Sequence, residues 1–195
     1  MAESIRFRIL KRRLAELRHR MLPKDFSPTG AYTELQLDRT RGYRLLVHAE
    51  IEAFLEDRAT EIVKGAFDLW RVDNKPRHTI ISLVCYCRVT DRVFESVSLS
   101  VGDAFGLFSR IIKKNHGVKE ENVLQFLLPA GIDRADLDET WLSTLSSFGT
   151  ARGEVAHSSA RTHQPIDPLG EYDTVTKRIL PGLKVLDQLL QNLSC

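Results

Sequence analysis

The stretch from about Thr40 to Trp70 constrains this chain most, because apolar residues recur there at three- and four-residue steps with no proline to interrupt them. The spacing predicts one long helix whose inward stripe holds Leu45, His48, Ala49, Glu52, Leu55, Ala59, Ile62 and Val63. A helix of that length runs about 45 Å, and the rest of the chain has to cover its stripe. Two members of the stripe are polar. His48 and Glu52 must each meet either another side chain or a wet cleft, since a buried polar group without a partner is costly.

The remaining segments read mostly as shorter helices. Residues 3–21 carry Ile5, Leu10, Leu14, Leu17 and Met21 at helical spacing and stop before Pro23. Lys24 to Asp38 reads as an irregular connection around Pro28-Thr29-Gly30. Residues 72–77 form a polar turn. The stretch from Thr79 to Val89 is rich in β-branched and aromatic residues and fits a short strand or a buried helix equally well, which leaves room for a small irregular or hairpin insertion around residues 72–100. A helix is expected from Gly102 through Phe105, Phe108 and Ile112, with Gly117 available as a left-handed cap. Another covers Glu120 to Leu128. Asp133 or Asp136 is expected to cap the next helix, which turns Leu137, Trp141, Leu142 and Leu145 inward and is weakened at Gly149. After a loop over 162–168, a last helix carries Val175, Ile179, Leu183, Leu186, Leu190 and Leu193, with Pro181 marking a kink or a late start. These elements make an all-α bundle, one domain over residues 1–195, with 1–38 as N-terminal helix and connection and 40–193 as the core bundle.

Composition removes several function classes. The 195 residues carry a net charge of only +2, so the chain is not a polycation built to coat nucleic acid, although Arg6, Arg8, Lys11, Arg12, Arg13, Arg18 and Arg20 cluster near the start. A solvated helix face accounts for such a cluster more often than phosphate binding does. Cys85, Cys87 and Cys195 fit no zinc or redox spacing, and the first two read as small buried apolar residues. Their odd number, with no secretory-type apolar stretch at the start, fits the cytoplasm. No window resembles a membrane span. Phosphate-cradling glycine loops, nucleophile elbows and metal-ligand spacings are absent, so no cofactor and no metal is expected.

What remains is Arg152-Gly-Glu-Val-Ala-His157. Five helical steps put Arg152 and His157 roughly 140° and about 7.5 Å apart, within reach of one cleft for a long arginine side chain. A guanidinium binds phosphate through paired hydrogen bonds, and an imidazole moves protons near neutral pH. As an isolated pair they prove little, because such spacing arises by chance. Together with Leu45 to Glu56, Ile112-Lys-Lys-Asn-His-Gly-Val118, Asn122-Val-Leu-Gln-Phe-Leu127 and Ala130-Gly-Ile132, the motif resembles the HEPN superfamily, and in particular its RiboL-PSP-HEPN branch of bacterial conflict and defence loci. The resemblance spans roughly residues 40–190.

The resemblance implies a helical bundle that forms a homodimer, with the Arg-x(4 to 6)-His motifs of two subunits facing one cleft, and a metal-independent endoribonuclease, such as a toxin or defence effector. RNA is then the substrate, and an antitoxin or other neighbouring-gene protein a partner. His157 would act as general acid or base and Arg152 would stabilise the developing phosphorane charge. His48, Glu52, Glu154 and Ser158 are candidate supporting residues, and Arg41 and Arg44 candidate phosphate contacts. The residue after the motif arginine is often polar in active members, whereas here it is Gly153. That departure favours, as the alternative, a non-catalytic HEPN module that binds RNA or a protein partner.

Overall fold

A computed structural model describes residues 2–87, 96–157 and 166–193, with 155–157 described through their helical backbone alone. Its spine is the long helix. Thr33 and Gln36 form a reciprocal capping box, so the helix (α2, Glu34–Asp73) starts six residues earlier than its apolar stripe suggests and runs 40 residues. It ends at Asn74, which takes the left-handed conformation at φ 54°. Its buried face is also rotated from the expected stripe: Ala49 is exposed, while Val47, Ile51, Phe54 and Arg58 are buried with His48, Leu55, Ala59, Ile62 and Val63.

Before it lies α1 (Ile5–Met21), capped by Ser4, which accepts a 3.0 Å hydrogen bond from the Phe7 amide. Phe7, Leu10, Leu14 and Leu17 pack onto α2, and Ile5 points to solvent instead of into the stripe. After α2 come α3 (His78–Tyr86), α4 (Val97–Lys114), α5 (Glu120–Ala130), α6 (Glu139–His157), α7 (Pro168–Asp173) and α8 (Leu180–Asn192). α2 contacts every other helix in the bundle.

Several local expectations change. The β-branched stretch after Thr79 is helical in α3, and among the described residues there is no strand; residues 88–95 of the expected insertion lie outside the described residues. Burial explains the helix: Thr79, Ile80 and Leu83 face the core, where packing overrides a weak strand propensity. Cys87 is buried as expected, but Cys85 is exposed, because the helical turn carries it to the opposite face. α4 begins at Val97 rather than Gly102, since the Ser96 hydroxyl caps the Leu99 amide. Asn115, in extended conformation, ends it instead of a glycine cap. α5 does end on a glycine, Gly131 at φ 102°. α6 is capped by Asp138, which accepts from the Trp141 amide at 2.6 Å, because a short 3₁₀ turn occupies Arg134–Asp136. Gly149 does not interrupt α6. It lets the helix approach α5, since a Cβ there would lie 3.3 Å from Lys119 Cγ.

α7 and α8 are one helical rod joined by a π-helical segment, Thr174–Ile179. Pro181 has no N–H to continue the ladder, and the wider turn absorbs the fault. The Trp141 indole donates to the Ile179 carbonyl at 3.1 Å and lies where a Cβ on residue 182 would sit, so only glycine fits at Gly182. The main core gathers α1, α2, α5, α6 and α8, and a smaller cluster of Ala66, Trp70, Ile80 and Val101 closes the far end of α2. Among the described residues, no helix is long and apolar enough to cross a membrane.

Candidate functional site

The four-residue steps of α2 place His48, Glu52 and Glu56 along one face. Only 1% of His48 is exposed, and its ring stacks on Phe148 of α6, with centroids 6.1 Å apart and planes at 22°. One turn further along α6 is Arg152, which is half-buried. Its positive charge acts on both His48 and Glu52. The structure therefore brings together three residues that the sequence singled out separately, at the point where α6 crosses the polar break in the α2 stripe.

The electrostatics of this cluster are those of an incompletely satisfied site. Burial, seconded by the charge of Arg152, pushes the His48 imidazole down to about 4, so it is neutral at pH 7. Its Nδ1 lies 3.5 Å from Glu52 Oε2, yet this buried nitrogen has no hydrogen-bond partner among the described residues. With a neutral ring the contact is not an ion pair, and its length is beyond that of a good hydrogen bond. Burial also raises Glu52 above the usual carboxylate range, and the negative charge of Glu56 adds to the effect. Arg152, His116 and a hydrogen bond from the Gly117 backbone oppose that rise.

The link between α4 and α5 closes the other side. Asn115 Nδ2 donates to Glu56 Oε1 at 2.6 Å and to the Gly117 carbonyl at 3.1 Å. Asn115 and Gly117 thus hold the link to two successive carboxylates of α2, and His116 lies between them. Neither Glu56 nor Asn115 stood out in the sequence. Glu56 follows Glu52 by one turn, a local signal that could have exposed it, but its partner is 59 residues away.

Arg44, a candidate phosphate contact in the sequence, is engaged within the fold. Its guanidinium grips Glu171 of α7 through bonds of 2.9 and 2.5 Å, and Nη1 donates to the Ala151 carbonyl at 3.3 Å. Paired hydrogen bonds of this kind are strong and directional. Arg44 is therefore a strut that fixes the turn of α6 next to Arg152. Arg41 bonds Asp38 at 2.7 Å, and its buried Nε has no partner among the described residues. Glu154 is exposed. The backbone of His157 closes α6, while Ser158 lies outside the described residues. A Cβ at Gly153 would meet open space, so packing does not require glycine there.

Among the described residues, no group of three or more His, Cys, Asp or Glu side chains is placed to hold a metal ion. Comparisons with protein-family models, curated proteins and solved structures found no match. The reading of the site therefore rests on its own residues. Those residues offer a guanidinium beside a carboxylate of raised proton affinity and a neutral imidazole, which together can bind an anion and stabilise charge that develops on it.

Proposed function

We propose that this protein is a metal-independent endoribonuclease of the HEPN type, acting as a toxin or defence effector and working as a homodimer whose two Arg152/His157 motifs share a cleft. The observation that supports the reading best is the position of Arg152 against the buried His48 and half-buried Glu52 of α2. A polar break in an otherwise apolar helix contact carries a desolvation cost and makes little sense as packing alone.

In the proposed reaction the ribose 2′-oxygen attacks the adjacent phosphorus and gives its proton to a general base. The 5′-oxygen of the next nucleotide leaves and takes a proton from a general acid. The products are a 2′,3′-cyclic phosphate and a free 5′-hydroxyl. His157 serves as the acid or base, and its counterpart in the second subunit serves as the other. Arg152 stabilises the charge on the pentacoordinate phosphorus. The Arg44–Glu171 strut holds the α6 turn that presents Arg152, and the negative charge of Glu52 attracts its guanidinium.

The test is RNA cleavage in EDTA by wild type, His157→Ala and Arg152→Ala. Wild type is expected to leave cyclic-phosphate ends, and each variant to lose about a hundredfold or more in rate. Equal cleavage by all three, or none by wild type at high enzyme concentration, rules the reading out.

Gly153 supports the second reading, a non-catalytic module that binds RNA or a protein partner such as an antitoxin. Because a side chain at this position would enter open space, Gly153→Asn tests it directly. Cleavage that appears only in this variant favours the non-catalytic reading for the natural chain.

A further inference from the structure

α4, α5 and Asn115 between them line an open cavity of about 240 Å³. Its α4 wall carries Arg110 and Lys114, one turn apart and both exposed. Among the described residues, neither makes an ion pair with a carboxylate, whereas Arg6, Arg13, Arg41, Arg44 and Arg58 of α1 and α2 do. Leu107 and Ile111 add an apolar surface beside the charges, and the α5 wall offers the carboxamides of Asn122 and Gln125. Gly117 keeps this wall open, since a Cβ there would lie 3.0 Å from Asn122 Nδ2.

Asn115 is shared by the cavity and the Arg152 cluster. It lines the cavity, and its side-chain nitrogen is bonded to Glu56 and to the Gly117 carbonyl. Two cations without an ion-pair partner among the described residues, an apolar strip and two carboxamides match what a nucleotide presents: an anionic phosphate, a flat base, and donors and acceptors on the base edge.

We infer that this cavity is a nucleotide subsite, which takes the residue of a single-stranded RNA next to the scissile phosphate. The inference rests on the ribonuclease reading of the neighbouring cluster for its choice of ligand. Arg110 and Lys114 bind the phosphate, the base lies on Leu107 and Ile111, and Asn122 and Gln125 bond its edge. His116, between the two residues tied to α2, stands where the RNA passes from the subsite to Arg152.

The experiment measures binding of a fluorescein-labelled octauridylate to the full chain by anisotropy across a salt series, with cleavage assayed in parallel. Arg110→Gln with Lys114→Gln is compared with wild type, and both substitutions are on exposed positions that leave the core intact. Loss of two phosphate contacts is expected to weaken binding about tenfold or more and to lower the log–log salt slope by about 1.4. Asn122→Ala is expected to raise KM with kcat unchanged. Unchanged affinity and slope in the double variant overturn the subsite but leave the ribonuclease reading intact. Binding that is lost in the double variant, from a wild type that never cleaves, keeps the subsite and removes the ribonuclease reading. No salt-dependent binding by wild type overturns the subsite outright.

Discussion

Two polar clusters lie against α2, ten residues apart, and they are built in opposite ways. Around Arg58, Asp187 of α8 is 1% exposed and almost fully engaged. It accepts from Arg58 Nε at 3.0 Å, from the Ser4 amide at 2.9 Å and from Gln191 at 2.9 Å, while Arg58 Nη1 reaches Glu61 at 2.7 Å. Only Arg58 Nη2 lacks a partner among the described residues. This cluster ties α1, α2 and α8 together. Around His48 the groups are close but loosely joined: His48 Nδ1 has no partner among the described residues, burial raises Glu52, and the charge of Arg152 acts on both. A satisfied network stabilises one arrangement, whereas an unsatisfied one keeps binding capacity for something else.

The largest effect expected from this contrast is on Asp187. Asp187→Ala leaves Arg58 buried without its main counter-charge and should cost about 3–5 kcal/mol, read from urea unfolding at pH 7. A loss below about 1 kcal/mol would mean that the Arg58 cluster is not the structural one.

A smaller effect is expected from acid. The His48 imidazole sits at about 4 in the fold against 6.5 in an unfolded chain, so between these values the unfolded state binds more protons and stability rises with pH. The contribution is complete above pH 6.5 and is lost on going down to pH 4, a difference of roughly 3 kcal/mol. Glu52 works in the other sense, because a raised carboxyl favours the fold at low pH and loses that contribution as pH rises through its folded value. Wild type minus His48→Gln, followed by urea unfolding from pH 4 to 7, isolates the histidine. A difference that does not change with pH would show that burial does not hold this ring neutral.

The smallest stability effect belongs to Glu52→Gln. Removing a carboxylate that the fold disfavours should change stability by less than about 1 kcal/mol, in either direction. RNA cleavage should nevertheless fall about tenfold as Arg152 loses its positioning partner. A large stability loss with unchanged cleavage would place Glu52 with the Arg58 cluster and erase the contrast.

The helical identity of most elements was legible in the sequence because helix formation is local. Apolar residues three and four apart mark a buried face wherever they occur, and α1, α2, α6 and α8 follow that rule. Caps were less legible. Thr33, Ser96 and Asp138 each compete with nearby polar residues that look equally suitable, and the start of a helix depends on which one the packing selects. His48, Glu52 and Arg152 were visible as candidates, since two of them interrupt an apolar stripe.

Their association, and the identity of their neighbours, were decided by tertiary structure alone. Arg44 meets Glu171 across 127 residues, Arg58 meets Asp187 across 129, and Asn115 meets Glu56 across 59. No periodicity encodes such pairs. They arise because α2 contacts every other helix, and the angle at which each helix crosses it selects which polar side chains come within bonding distance. By itself the sequence determined that the chain is helical and roughly where most helices lie, while packing set the exact buried face of α2, the helical state of α3 and the helix starts. Packing around α2 then separated Arg44, a strut, from Arg152, which is left to act on the proposed substrate.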